Sequence, residues 1–128
     1  AIVKQAAIIM NKYDTYDVAG VEMHHKQKVD APSGTAKIIG DILIKELDRK
    51  TTLVTESPQR ALKPEELHVS AVRGGTIPGT HSVLFDSDFD TIELKHTARS
   101  RKGFALGAVL AAEWIHNKKG FFSVQDMM

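Results

Sequence analysis

Between Glu22 and Ala36 the sequence concentrates side chains that can hold and move protons. The stretch reads Glu-Met-His-His-Lys-Gln-Lys-Val-Asp-Ala-Pro-Ser-Gly-Thr-Ala. It contains two adjacent histidines, His24 and His25, and a lysine at Lys28. An imidazole titrates near neutral pH and an ammonium group carries a transferable proton, so these residue types suit proton donation to a bound molecule.

The same stretch ends in a turn, Ser33-Gly34-Thr35, that suits an anion. Serine is a favourable N-cap, and the first N–H groups of a helix have no partner within the helix. Because Gly34 leaves the backbone uncovered, the N–H groups of Gly34 and Thr35 and the Thr35 hydroxyl can receive a carboxylate or a phosphate. The residue types alone leave a second interpretation open, which is a capped helix preceded by a solvated polar loop.

A strand and a helix must position these groups. Asp17 to His24 is predicted as a strand, and the apolar spacing after Ser33 predicts a helix over residues 33–49. The polar side chains therefore gather where a strand ends and a helix begins, which is where open α/β sheets bind ligands. Because neighbouring strand residues point to opposite faces, only one of His24 and His25 is expected to enter the site unless the chain bends there.

The rest of the pattern predicts an α+β fold. We expect an open mixed sheet of about four or more strands, covered by helices on one face, because the strands alternate apolar and polar residues. The other predicted elements are a truncated helix over 1–13, a short strand near 52–55, strands over 68–73, 81–85 and 91–97, an apolar helix over 104–116 and a capped turn at 123–126. The last two strands are predicted to form an antiparallel hairpin.

Composition excludes several classes of function. A chain of 128 residues with a net charge of +1 is predicted to be one domain, spanning residues 1–128, and has no excess charge for nucleic acid or a membrane surface. The chain has no cysteine, so disulfides and thiolate metal sites are excluded. Glu22 and His24 share a strand face and with a further histidine could hold zinc, but no compact third ligand is visible, so no metal site is predicted.

The pattern Glu-x-His-His-x-x-Lys-x-Asp-Ala-Pro-Ser-Gly-Thr-Ala resembles the signature of the dihydrodipicolinate reductase family, also called 4-hydroxy-tetrahydrodipicolinate reductases. These are nicotinamide-dependent enzymes of lysine and diaminopimelate biosynthesis. A second group of motifs agrees with the resemblance: Arg73-Gly74-Gly75, Gly79 with His81, His96 to Arg101, and Phe104 to Ala108. The remaining histidines on predicted strands, His68, His81 and His96, are interpreted as structural or surface residues.

The resemblance implies a reaction and a set of roles. A hydride passes from NADPH or NADH to the ring of a cyclic dicarboxylate, and the neighbouring carbon receives a proton. His24 and Lys28 are implied as the catalytic proton-transfer groups. His25, Lys28 and the turn Ser33, Gly34 and Thr35 are implied as substrate contacts.

The resemblance covers only the C-terminal part of the family's length. The chain has no Gly-x-Gly-x-x-Gly motif, so no cofactor-binding residue is predicted and we expect a fragment without the Rossmann half. The apolar helix over 104–116 would pack on that half. The resemblance also implies a cytoplasmic homotetramer assembled through the sheet. Two alternatives stay open: a non-catalytic oligomerisation module and a stand-alone anion-binding domain.

Overall fold

A computed structural model describes residues 1–128, which divide into two compact units, 1–97 and 98–128. The first unit is built on a five-stranded sheet in the order β2-β3-β1-β4-β5. Its strands are β1 Asp17–His24, β2 Thr52–Val54, β3 Glu66–Arg73, β4 Thr80–Asp86 and β5 Thr91–Thr97. β1–β3 and β2–β3 are parallel, whereas β1–β4 and β4–β5 are antiparallel. The predicted mixed sheet and the predicted hairpin are both confirmed.

Two helices, α1 Ile2–Met10 and α2 Gly34–Glu46, cover one face of this sheet. Alternate β1 residues such as Val18 and Glu22 are buried towards the helices, and the residues between them face the other side. The core side chains from helices and strands pack in one cluster: Ala7, Met10, Val18, Ala36, Leu43, Leu47, Leu67, Val69, Val83 and Phe85. Coverage of a single face agrees with the prediction.

The observed element ends differ from the predicted ones. The first two helices are shorter than 1–13 and 33–49, and α2 ends because Leu47 takes an extended conformation. β3 begins two residues earlier than predicted, because Glu66 pairs with Thr52 of β2. β4 extends to Thr80, which pairs with β1. Inter-strand pairing therefore sets these strand ends, and alternation within one strand cannot show it.

Charged side chains hold the segment between β2 and β3, where the sequence has little periodicity. The Lys50 Nζ lies 2.7 Å from the Pro64 carbonyl, 2.9 Å from the Glu66 carbonyl and 2.6 Å from the Asp17 carboxylate. The Arg60 guanidinium donates two hydrogen bonds to the Glu66 carboxylate. Ion pairs and contacts to backbone carbonyls hold this segment. Apolar spacing therefore predicted only the short strand β2 that precedes it.

The second unit contains α3 Lys102–Ile115 and α4 Val124–Met127. No α3 side chain is buried, although the helix is rich in apolar residues, and Phe104 is 60% exposed. The predicted capping box of Ser123 with Asp126 is confirmed. The expectations that this helix packs on a nucleotide-binding domain, and that residues 1–128 form one domain, stay predictions. No helix of the chain has the length and apolar character needed to cross a membrane.

Candidate active site

The ends of several elements meet at one edge of the sheet. β1 and its parallel neighbour β3 end at a matched pair, His24 and Arg73. The antiparallel strand β4 begins at the same edge with Thr80 and His81, and Ser33 there forms the N-cap of α2. The predicted junction of strand and helix is therefore present, and it carries side chains from four elements.

Glu22 is the buried centre of this cluster, with only 1% of the residue exposed. Its Oε1 accepts hydrogen bonds from the Ser33 N–H at 2.9 Å and from the Arg73 Nη2 at 2.6 Å. Its Oε2 lies 2.5 Å from the His24 Nδ1 and 2.9 Å from the Arg73 Nη1. Burial raises the pKa of Glu22, but the hydrogen bonds from Arg73, His24 and Ser33 outweigh it and leave the pKa below its usual value. Glu22 is therefore an anion at neutral pH.

His24 lies between this carboxylate and β4. Its Nδ1 faces Glu22, and its ring makes an edge-to-face contact with His81 at 5.2 Å between centroids. The other ring nitrogen faces Gly79, where a Cβ atom would lie 3.0 Å from the His24 Nε2. Gly79 has φ +149°, a conformation that side chains disfavour. The glycine therefore leaves space at the nitrogen that is not held by Glu22.

Ser33 and His81 form a second contact pair. The Ser33 Oγ accepts the Ala36 N–H at 3.2 Å, which confirms the predicted N-cap, and lies 3.2 Å from the His81 Nε2. Burial lowers the pKa of His81, and the nearby charge of His24 lowers it further, against an opposing effect of Glu22. A neutral His81 can accept a hydrogen bond from the Ser33 hydroxyl through its Nε2, so the two side chains orient each other.

The turn after Ser33 is open. Gly34 and Thr35 are exposed, and a Cβ atom at Gly34 would meet nothing within 4 Å. The Thr35 N–H donates no hydrogen bond within the chain, and the Gly34 N–H faces the Asp30 carboxylate. A cis peptide bond, Ala31–Pro32, precedes the cap. This geometry is compatible with the predicted anion site, whose occupation stays a prediction.

Lys28 is placed by the loop that joins β1 to α2. Its Nζ lies 2.7 Å from the Asp30 carboxylate. The hydrogen bond from Lys28 outweighs the opposing effect of burial and lowers the pKa of Asp30, and the N–H of Gly34 contributes in the same direction. The Arg73 guanidinium holds this loop by donating to the carbonyls of Lys28 at 3.3 Å and Asp30 at 2.6 Å. A carboxylate is thus already stabilised between the lysine and the open turn.

His25 is separate from this network. The strand ends at His24, and the Lys28 N–H then donates to the His25 carbonyl in a turn. The His25 Nδ1 is buried and has no hydrogen-bond partner. The structure therefore joins His24 and Ser33 through Glu22 and joins Lys28 to them through Arg73, but no hydrogen bond links the His25 ring to the rest of the predicted site.

Three residues of the cluster were not predicted as site residues from the sequence: Glu22, Arg73 and His81. Glu22 was considered only as a zinc ligand, and the structure contains no group of three histidine or carboxylate side chains that could hold a metal ion. His81 was interpreted as structural. Glu22 and His24 lie two residues apart on one strand face, and this spacing indicated that they could be in contact. The contact of Glu22 with Arg73 depends on the register between β1 and β3, which the sequence does not show.

Comparisons with known proteins give a consistent result. Residues 1–128 match the family model described as "Dihydrodipicolinate reductase, C-terminus". Proteins named 4-hydroxy-tetrahydrodipicolinate reductase are similar to the chain. The one from Christiangramia forsetii (strain DSM 17595 / CGMCC 1.15422 / KT0803) is 38% identical over 98% of this chain and 51% of its own length. The one from Clostridium novyi (strain NT) is 42% identical over 91% of this chain and 47% of its own. The chain spans about half the length of these relatives.

A solved structure has the same fold. It is described as "Dipicolinate bound Dihydrodipicolinate reductase from Paenisporosarcina sp. TG-14" and aligns with a TM-score of 0.70. The alignment covers 99% of this chain and 50% of that one, at 22% sequence identity. The match supports the observed arrangement of sheet and helices.

Proposed function

The chain belongs to the dihydrodipicolinate reductase family, whose C-terminal part it matches over its whole length, and on this basis we propose that it supplies the substrate site of a 4-hydroxy-tetrahydrodipicolinate reductase. Such an enzyme reduces a cyclic dicarboxylate in lysine and diaminopimelate biosynthesis. In this proposal, residues 1–128 bind the dicarboxylate, donate the proton that completes the reduction, and assemble the subunits. The named relatives are reductases, so the activity belongs to the oxidoreductase class.

The observation that carries the proposal is a place already suited to a carboxylate. The Lys28 Nζ lies 2.7 Å from the Asp30 carboxylate, the Gly34 N–H lowers the pKa of the same carboxylate, and Thr35 is an exposed residue of the same turn. A substrate carboxylate would gain the same cation and the same helix-terminal donors. The dipicolinate named for the Paenisporosarcina protein is a dicarboxylate of the class that this arrangement would accept.

The proton roles follow from the same geometry. Lys28 lies at the carboxylate position and carries a proton that it can give to the reduced ring. His24 presents its Nε2 to the space left by Gly79, where it can donate or accept a proton. His25 is proposed as a substrate contact on the family resemblance, and no hydrogen bond within the chain holds its buried Nδ1.

The hydride is expected to come from NADPH or NADH. The glycine pair Gly74-Gly75 follows β3 but leads into the strand β4 rather than into a helix, so it lacks the helix N-terminus on which a dinucleotide-binding loop depends. These residues do not fit a dinucleotide, and none of the 128 is assigned to it. We place the cofactor in the part of the enzyme that lies outside this chain.

Assembly is proposed through the sheet face that the helices leave uncovered. On this face lie Val21 and Met23 of β1, Val72 of β3 and Leu84 of β4, and Val72 is 46% exposed. Apolar residues grouped on an uncovered face are typical of an interface. The family resemblance implies that the assembly formed through this face is a homotetramer. A cytoplasmic location belongs to the same proposal, since the chain has no cysteine and its reaction draws on reduced nicotinamide.

Steady-state kinetics test the proposed function in a reductase whose substrate-binding half is this chain. Lys28→Ala should lower kcat by roughly 10²–10⁴-fold, the usual effect of losing a general acid. Lys26→Ala removes the same charge at an exposed position two residues away and should leave kcat within about twofold. Wild-type turnover in the Lys28 variant would refute its role. Complete absence of activity with folded wild-type protein would favour the non-catalytic oligomerisation or anion-binding module.

A further inference from the structure

We propose that Glu22 and Arg73 form a positioning pair for the reaction. Glu22 fixes the ring proton of His24 on Nδ1, and Arg73 fixes the loop that carries Lys28. The inference rests on the proposed function, because it explains how the two proton-carrying groups are oriented. Neither Glu22 nor Arg73 is assigned a contact with substrate.

The donors around Glu22 determine which ring nitrogen of His24 carries the hydrogen. An ionised carboxylate has only acceptor atoms, so every group that bonds to it must donate a hydrogen. The Glu22 Oε2 lies 2.5 Å from the His24 Nδ1, so the histidine must carry its hydrogen on that nitrogen. Nε2 is then the atom that gains or loses a proton. It is also the atom that faces the space beside Gly79.

Burial makes this arrangement obligatory. Only 1% of Glu22 is exposed, and each of its carboxylate oxygens is engaged by two donors of the chain. A buried charge is tolerated only when it is paired and hydrogen bonded, and the two-pronged contact with Arg73 meets that condition. Water cannot replace a missing donor at this buried site. A His24 ring that turned an unprotonated nitrogen towards Glu22 would therefore leave a buried carboxylate oxygen without one of its hydrogen bonds, which lowers the stability of the fold.

Arg73 extends the same control to the loop. Its Nη2 donates both to the Glu22 carboxylate at 2.6 Å and to the Asp30 carbonyl at 2.6 Å. Its Nε donates to the Lys28 carbonyl at 3.3 Å. One planar guanidinium therefore connects the acid that orients His24 with the backbone that carries Lys28, which a lysine at this position could not do.

A second buried pair in the same chain shows what a purely structural role looks like. The Glu66 carboxylate accepts two hydrogen bonds from Arg60 and one from the Lys63 N–H, and Glu66 is only 7% exposed. No histidine contacts that carboxylate. Glu66→Gln is therefore a matched control for Glu22→Gln, because each change converts an arginine-paired buried carboxylate into an amide.

The test reads the His24 ring nitrogens in long-range proton–nitrogen NMR spectra of the 128-residue chain. In the neutral wild-type ring the hydrogen should lie on Nδ1. Glu22→Gln should move it to Nε2, for a geometric reason. At the Oε1 position an amide nitrogen would oppose two groups that can only donate, the Ser33 N–H and the Arg73 Nη2. At the Oε2 position it would oppose only the Arg73 Nη1, and it could donate to a His24 ring that changes tautomer. Glu66→Gln should leave the hydrogen on Nδ1.

A wild-type ring with its hydrogen on Nε2 would overturn the proposal, and this observation needs no variant to fold. Retention of the Nδ1 hydrogen in a folded Glu22→Gln chain would overturn it as well. In the reductase, Glu22→Gln should lower kcat by roughly 10²-fold or more with KM nearly unchanged, since a wrong tautomer impairs chemistry and not binding. A rise in KM alone would contradict the role. The NMR spectra are recorded without substrate, so their result is independent of whether the proposed activity is correct.

Amide hydrogen exchange tests the Arg73 half. Arg73→Lys keeps the positive charge but loses the planar fork. The two hydrogen-bonded amides of the loop, Lys26 and Lys28, should then exchange at least tenfold faster while amides of the core strands stay protected. Unchanged exchange in that loop would contradict the role of Arg73. Faster exchange in both the loop and the core strands would mean that Arg73 stabilises the whole fold, and this result would also contradict its proposed role in positioning the loop.

Discussion

At the scale of single residues, the chemistry of the site depends on what each side chain contacts. The serine cap at Ser33 was predictable, because an N-cap is a local property of a few neighbouring residues. The environment of His24 was predictable only in part. Its partner Glu22 is two positions away on the same strand, but Arg73, which keeps Glu22 ionised, is 51 residues away and reaches it through the parallel pairing of β1 and β3.

Gly79 provides a prediction at this scale. Gly79→Ala should lower the free energy of unfolding by roughly 1–3 kcal/mol, because alanine is strained at φ +149°. The new Cβ would also lie 3.0 Å from the His24 Nε2, so the His24 ring signals should shift in NMR spectra. Gly74→Ala is the control, since a Cβ there meets nothing within 4 Å. Unchanged stability together with unmoved His24 signals would show that the space beside Nε2 is not needed.

At the scale of elements, periodicity located most helices and strands but not their ends. β5 alternates Ile92, Leu94 and His96 with charged residues, and its predicted limits agree with the structure. The segment from 55 to 65 carries no such signal, because Arg60 and Lys50 organise it around Glu66 and nearby carbonyls. Ion pairs between distant residues leave no period in the sequence, so this part of the fold was not predictable.

The Glu66 pair predicts a pH dependence of stability. The hydrogen bonds from Arg60, with a smaller contribution from the Lys63 N–H, lower the pKa of Glu66 from 4.5 to about 2. A lowered carboxyl pKa stabilises the folded state above pH 4.5, and this contribution is lost as the pH falls towards about 2. Urea unfolding of the wild-type chain should therefore show stability falling across this window. Glu66→Gln should show a shallower fall, and equal slopes for the two proteins would contradict the account.

At the scale of the whole molecule, two apolar surfaces are left without cover. One is the sheet face that bears Val21, Met23, Val72 and Leu84, and the other is the exposed helix α3 of the second unit. The sequence predicted both features, the first from alternation and the second from a helix that is apolar on every side. It could not predict the partners, since neither pattern specifies what covers it.

The sheet face should mediate assembly of the chain. Val72→Glu places a charge on that face at a half-exposed position, so it should shift the chain to a smaller species in sedimentation velocity with little loss of stability. Leu110→Glu places the same charge on α3 and should leave the assembly intact. A wild-type chain that sediments as a monomer at micromolar concentration would rule out assembly through the sheet. Dissociation caused only by Leu110→Glu would assign the interface to α3 instead.

The turn at the start of α2 is proposed to bind a dicarboxylate beside Lys28. The most direct test is a titration of the chain with pyridine-2,6-dicarboxylate, followed by the amide signals of Gly34 and Thr35. We expect those two signals to shift in a saturable way, and we expect Lys28→Ala, but not Lys26→Ala, to weaken the binding by about tenfold or more. Absence of any shift at Gly34 and Thr35 at millimolar ligand, with the chain folded, would contradict a dicarboxylate site in these 128 residues.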